Sequence, residues 1–223
     1  MQRRWLLRPG LLVLSAAMLG VPGGSASAQA GSVEGTVALE PPPPPRRTAD
    51  RYAGAAAAPE RVQRVPAVVY VVGAVQSSEP RPSAARMVQQ DTAFTPPAVV
   101  VPVGGTVEFP NADPFFHNVF SYSSARRFDL GRYPQGESKS VTFDEPGVVG
   151  VFCEVHDKMR GVIIVTRNPF HAVVGDDGSF RIDGLPPGEH ELAFWSADHR
   201  PVQRTVVVDP GRTTRVEVEL NNR

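Results

Sequence analysis

The sequence predicts an all-β protein whose middle is an antiparallel β-sandwich flanked by further short strands. Three observations lead there. No segment of the middle region carries an extended helical period. Apolar residues come in short runs, either alternating with polar ones or β-branched throughout. Clusters of Gly, Pro, Asn and Asp separate the runs at the intervals expected of turns.

Taken in order, Gly31 to Leu39 alternates around Val33 and Val37, the pattern of a half-buried strand. Pro41 to Pro45 is five prolines in a row, polyproline II by preference and unable to donate to a sheet. The chain stays rich in Ala, Arg and Pro through Glu60, which reads as a loop. Pro66 to Gly73 is a β-branched strand closed by a glycine, and Gln76 to Ala85 reads as a linker. The β-dense region follows: Met87–Gln90, Phe94–Pro97, Ala98–Val103, then a Gly104-Gly105 turn into Thr106–Phe109, where Val107 and Phe109 share a face. Asn111 to Pro114 reads as a turn or loop, His117 to Tyr122 as a strand, and Ser123 to Gly136 as a longer connection. Ser138–Phe143 alternates, Glu145-Pro146-Gly147 turns, Val148–Cys153 is a strand, and Gly161–Thr166 is apolar enough to be buried. The tail adds about four strands, entered by the turns Asp176-Asp177-Gly178, Gly184–Gly188 and Asp209-Pro210-Gly211. Four strands alone would leave an apolar face uncovered, so they need partners.

The first thirty residues read as an export signal. Arg3, Arg4 and Arg8 precede the apolar run Leu11–Leu19, and small residues lead to the cleavage sequence Ala28-Gln29-Ala30, so the mature chain is expected to start at Gly31. Arg3-Arg4 with Trp5-Leu6-Leu7 is a partial twin-arginine match, which leaves both export routes open. No later stretch approaches the ~20 apolar residues of a membrane span, so membrane insertion after cleavage is not expected. Cleavage removes three of 23 basic residues and none of 23 acidic ones. The resulting slight negative charge argues against nucleic acid, which asks for a basic patch.

A single cysteine, Cys153, is informative in an exported chain, where cysteines usually pair as disulfides. It must pair between chains, stay free or bind something. His156 follows three residues later and Met159 three beyond that. Thiolate, imidazole and thioether form a soft donor set that suits copper rather than magnesium or calcium. His117, in Phe115-Phe116-His117-Asn118, is a candidate fourth ligand. His171, His190 and His199 lack such spacing and read as surface or structural residues.

The region from Ala85 to Arg167 resembles the blue-copper cupredoxins, specifically the plastocyanin and amicyanin group. The resemblance rests on Phe94-Thr95-Pro96, the Val103–Phe109 hairpin, His117-Asn118 and the Cys153-x-x-His156-x-x-Met159 loop. It implies a Greek-key sandwich holding one type 1 copper. His117, Cys153 and His156 would be equatorial ligands, Met159 the weak axial one, and Asn118 a hydrogen-bond partner of the cysteine loop. His156 would face solvent as the electron exit. The two-residue spacings are those of the amicyanin type. Glu154 and Val155 depart from relatives that often carry a proline before the histidine, and a carboxylate beside the thiolate lowers the potential unless it turns to solvent. Lys158 and Arg160 read as a solvated rim able to steer an acidic partner.

The flanks resemble a different family. Asp176–Phe180 with Gly184–Leu192 looks like the carboxypeptidase regulatory-like (transthyretin-like) sandwich, whose opening strands would be Ser32–Val37 and Val68–Val72. The expectation is therefore a cupredoxin at 85–167 inserted into a smaller Ig/transthyretin-like sandwich made from 31–79 and 168–223. The function implied is a periplasmic or secreted electron carrier, not an enzyme, serving a redox partner such as a c-type cytochrome or a dehydrogenase-like protein. A copper storage or delivery protein, and an accessory copper subunit of a redox enzyme, are the alternatives.

Overall fold

The computed structural model describes residues 29–41, 63–77 and 84–223. All but the last two residues of the expected signal segment, the prolines after Pro41 with the loop that follows, and part of the linker after Ser77 lie outside the described residues. Everything described is strand, turn or irregular chain, with no helix. The protein is all-β, as its sequence patterning predicts.

The strands are β1 (Gly31–Leu39), β2 (Val68–Val71), β3 (Ala84–Arg86), β4 (Val88–Gln90), β5 (Ala93–Thr95), β6 (Ala98–Pro102), β7 (Gly105–Pro110), β8 (His117–Tyr122) and β9 (Arg127–Tyr133). They continue as β10 (Ser138–Phe143), β11 (Gly147–Phe152), β12 (Arg160–Thr166), β13 (His171–Val173), β14 (Ser179–Leu185), β15 (Gly188–Trp195), β16 (Val202–Val208) and β17 (Thr213–Leu220). In the middle region, sheet β6-β12-β11-β8-β9 faces sheet β10-β7-β3, with β4 and β5 forming a small hairpin. Between them lies a core that includes Phe94, Phe109, Val119, Phe143, Val151, Cys153 and Met159.

The flanks build a second pair of sheets. β1 lies between β14 and β17, antiparallel to one and parallel to the other. β2 lies between β13 and β15, with β16 outside β15. Val33, Val69, Phe180, Leu192 and Phe194 fill the core between these sheets. Strands from before and after the middle region are therefore direct neighbours, and the thin C-terminal set finds its partners in β1 and β2.

Two strands are buried on both faces, and each explains an unbroken apolar run. In β12, Ile163 and Val165 enter the middle core, while Val162 and Ile164 face outward into a third cluster with Val65, Val68 and Ala98. In β2, Val69 and Val71 serve the flank core and Val68 serves that third cluster. The result is a stack of four sheets, with the two inner ones sharing an apolar seam. A strand that alternates between two cores has no polar face to show.

Three sequence expectations require correction. The connection read over Ser123–Gly136 contains β9, an edge strand whose alternation is obscured by the exposed charges Arg127, Asp129 and Arg132. The linker read to Ala85 already includes the start of β3, which pairs in parallel with β7. The tail holds five strands rather than about four, because the three-residue β13 is too short to leave a periodic signal.

Candidate metal centre

The site is assembled where β8 begins and β11 ends. Strand alternation turns His117, Val119 and Ser121 inward, so His117 is fully buried at the rim of the middle core. β11 ends at Phe152, and Cys153 follows directly, 3% exposed and unpaired. The chain then turns: the Met159 amide donates to the His156 carbonyl at 2.9 Å, and β12 starts at Arg160. Asn118, alternating to the other side of β8 from His117, accepts a 2.7 Å hydrogen bond from the Glu154 amide through Oδ1. That bond ties the start of β8 to the loop after Cys153.

His117 is held from behind. Its Nε2 lies 2.7 Å from Asp113 Oδ2, within a buried pair. An ionised carboxylate only accepts hydrogen bonds, so it fixes the tautomer with the proton on Nε2 and leaves the Nδ1 lone pair free. Asp113 is itself anchored by the amides of Asp91 (2.7 Å, to Oδ1) and Thr92 (3.0 Å, to Oδ2). Burial alone would raise its pKa. The Thr92 and Asp91 amides and the His117 imidazole outweigh that and hold its carboxyl below the usual carboxylate range. Asn111 shapes this loop, its Oδ1 accepting from the Asp113 amide and its Nδ2 donating to the Phe115 and Tyr133 carbonyls.

On the open side of His117 three donor atoms converge. Nδ1 of His117 lies 3.5 Å from Cys153 Sγ and 3.2 Å from Nδ1 of His156. One donor atom from each of the three residues falls within a span of 4.8 Å. Metal bonds of about 2.0 Å to nitrogen and 2.3 Å to sulfur, at angles near 110°, would place neighbouring donors roughly 3.3–3.6 Å apart. The separations fit one transition-metal ion. Met159, fully buried in the same core as Cys153, adds a thioether to the loop. Two imidazoles, a thiolate and a thioether form the donor chemistry of a blue-copper centre.

His156 is the partly exposed member, and an apolar rim surrounds it. Phe115 is 5.3 Å from His156 and 5.1 Å from His117, ring centre to ring centre. Phe115, Phe116 and Val155 are all exposed. The Glu154 carboxylate is turned to solvent, exposed and 3.5 Å from Arg132, so water screens its charge. Arg160 departs from the expected free rim. Its guanidinium makes a bidentate pair with Asp198, at 3.0 and 2.8 Å, and is only 27% exposed. Lys158 pairs with its neighbour Asp157 at 3.3 Å. His171, His190 and His199 each hydrogen-bond a backbone carbonyl, of Pro169, Pro186 and Glu40.

Sequence reading missed Asp113. In Asn111-Ala112-Asp113-Pro114 it looks like an ordinary turn former. The only available signal was its position four residues before His117.

No curated protein matches the chain. Among solved structures, a copper-containing nitrite reductase from Thermus scotoductus SA-01 is 27% identical over 44% of this chain (TM-score 0.37), and the match spans only 25% of the reductase. A reduced mutant of amicyanin is 25% identical over 40% of this chain and 87% of its own, with a TM-score of 0.35. A purple cupredoxin from Nitrosopumilus maritimus is 23% identical over 37% of this chain and 99% of its own, with a TM-score of 0.34. Residues 83–166, the span that carries His117, Cys153, His156 and Met159, match the family of copper binding proteins of the plastocyanin/azurin type.

Proposed function

We propose that the protein is an exported one-electron carrier with a single type 1 copper, bound equatorially by His117, Cys153 and His156 and axially by Met159. The observation that carries this reading is the convergence of His117 Nδ1, Cys153 Sγ and His156 Nδ1 at separations a single ion would bridge. Copper would supply a one-electron couple. The chain's own residues supply rigidity. Asp113 locks the His117 ring, Asn118 pins the cysteine loop, and Met159 is enclosed by the core. A donor set that cannot rearrange between oxidation states opposes electron transfer least.

His156, with the apolar rim of Phe115, Phe116 and Val155, is the natural contact point for a redox protein. A c-type cytochrome or dehydrogenase-like partner fits that role. Localisation in the periplasm or outside the cell rests on the export signal read from the first thirty residues. We assign the flanks to a carboxypeptidase regulatory-like sandwich interrupted by the copper domain, a reading supported by the pairing of β1 with β14 and β17 and of β2 with β13 and β15.

The test is to load the protein with Cu(II) and record visible and electron paramagnetic resonance spectra. An intense thiolate-to-copper band with a narrow copper hyperfine splitting is expected. Cys153→Ser should abolish the colour, and Met159→Leu should keep it while raising the potential. Colourless protein, or uptake of several coppers per chain, would overturn the reading and favour storage or delivery.

A further inference from the structure

Met159 is bracketed from outside its own loop. The residue before it, Lys158, accepts through its carbonyl a 3.1 Å hydrogen bond from the amide of Gln63. The residue after it, Arg160, donates through Nε to the carbonyl of the same Gln63 at 3.0 Å. Gln63 belongs to the chain that leads into β2. Its side chain is fixed in turn, with Nε2 donating to the Phe94 carbonyl at 2.5 Å and Oε1 accepting from the Phe94 amide at 2.9 Å. From the other flank, Asp198, just beyond β15, takes both terminal nitrogens of Arg160. Segments on both sides of the middle region therefore grip the two neighbours of Met159.

A thioether in such a centre makes a weak, long bond. A weak bond cannot pull backbone into place, so the scaffold decides where the sulfur stands. Here much of that scaffold is not the copper domain. The apolar seam of Val65, Val68, Ala98, Val162 and Ile164 presses the two sandwiches together next to these contacts, which keeps the grip in register. A bidentate guanidinium–carboxylate pair fixes direction as well as distance.

We infer that the flanking sandwich is a positioning frame for the axial ligand: Gln63 and the Arg160–Asp198 pair set where Met159 stands relative to the other three donors. Arg160, Asp198 and Gln63 are positioning residues, and none is a ligand. The inference rests on the copper reading above. It assigns the second sandwich a part in tuning the metal.

The experiment uses the full chain with Asp198→Ala, with Asp198→Asn as the milder variant should the first not fold, and with Asp198→Glu, which keeps a carboxylate for Arg160 and leaves its bond to Gln63 in place, as the conservative rescue. Without metal, amide hydrogen exchange at Met159 should quicken by up to about fivefold in Asp198→Ala and Asp198→Asn, the scale of losing a partly exposed ion pair, while Val119 in β8 stays unchanged. With Cu(II) bound, the rhombicity of the resonance spectrum and the ratio of the two thiolate charge-transfer bands should shift in Asp198→Ala and Asp198→Asn and return toward wild type in Asp198→Glu. Unchanged exchange and unchanged spectra, with only a lower unfolding midpoint, would reduce the pair to glue between sandwiches and overturn the inference alone. Failure of the wild-type chain to bind copper would overturn the copper reading and this inference together.

Discussion

Replacing Asp113 by asparagine should raise the reduction potential of the copper-loaded protein. Asp113 Oδ2 sits 2.7 Å behind the His117 imidazole. Crossing the ring and a metal–nitrogen bond of about 2.0 Å puts the carboxylate roughly 6.5 Å from a bound ion. At an effective dielectric constant near 20, one charge at that distance changes the interaction with the extra positive charge of Cu(II) by about 2.5 kcal/mol. That corresponds to roughly 110 mV, since 100 mV is worth about 2.3 kcal/mol per electron. The Asp91 and Thr92 amides already spread part of the charge, so a rise of about 50–100 mV is the expected outcome. Because Asp113 is 5% exposed, the shift should persist at high salt. The assay is a spectroelectrochemical titration of wild type and Asp113→Asn at two ionic strengths. An unchanged or lower potential, with the thiolate band intact, would refute the argument. The amide also places an NH2 group against the backbone N–H that Oδ1 now serves, so a stability loss of about 1–3 kcal/mol should accompany the shift.

Three further outcomes follow from the geometry. Asn118→Ala removes the acceptor for the Glu154 amide and should cost about 1–3 kcal/mol in chemical denaturation of the metal-free protein. Gly35→Ala should be more damaging, at about 3 kcal/mol or above, because a Cβ there would collide with the carbonyl of Val216 on the parallel neighbour β17; a thermal melt within a degree of wild type would contradict the pairing. Arg160 beside Asp198, offsetting partial burial, holds the Asp198 carboxyl below the usual carboxylate range. A carboxyl with a depressed folded-state pKa stabilises above its unfolded value of 3.8 and loses that contribution as pH falls through the folded one. Asp198→Asn should therefore lower stability in urea at pH 7 by no more than about 1 kcal/mol for a pair whose carboxylate is exposed, and the difference from wild type should shrink as pH falls below 3.8 and through the depressed folded-state value.

What the sequence reveals is what periodicity and donor chemistry encode. β1 shows through the alternation around Val33 and Val37, and β2 and β12 show through unbroken β-branched runs. The loop from Cys153 to Met159 announces soft ligands by residue type alone. The features that escaped depend on partners distant in sequence or on residues with ambiguous roles. β9 is an edge strand in which charge hides alternation. Asp113 is indistinguishable from a turn residue until the loop curls it onto His117. Arg160 looks like a free surface charge because Asp198 lies 38 residues away. That β12 serves two cores also becomes visible only when β2 lies against it.

The pairing of β1 with β17 joins residues about 180 positions apart, as between Ser32 and Thr213. Contacts that distant make folding slow, because chain entropy must be surrendered before they reward it. The core between the two sheets of the β3–β12 region is built from that region's own residues, and its compaction would shorten the loop between β2 and β13. Each halving of the effective loop is worth roughly 0.6 kcal/mol, and compaction of β3–β12 takes out about half of the chain between β1 and β17. Assembly from inside out is the expected order, with the middle sandwich forming before β1 meets β17. A chain whose centre is kept from collapsing should join β1 to β17 more slowly.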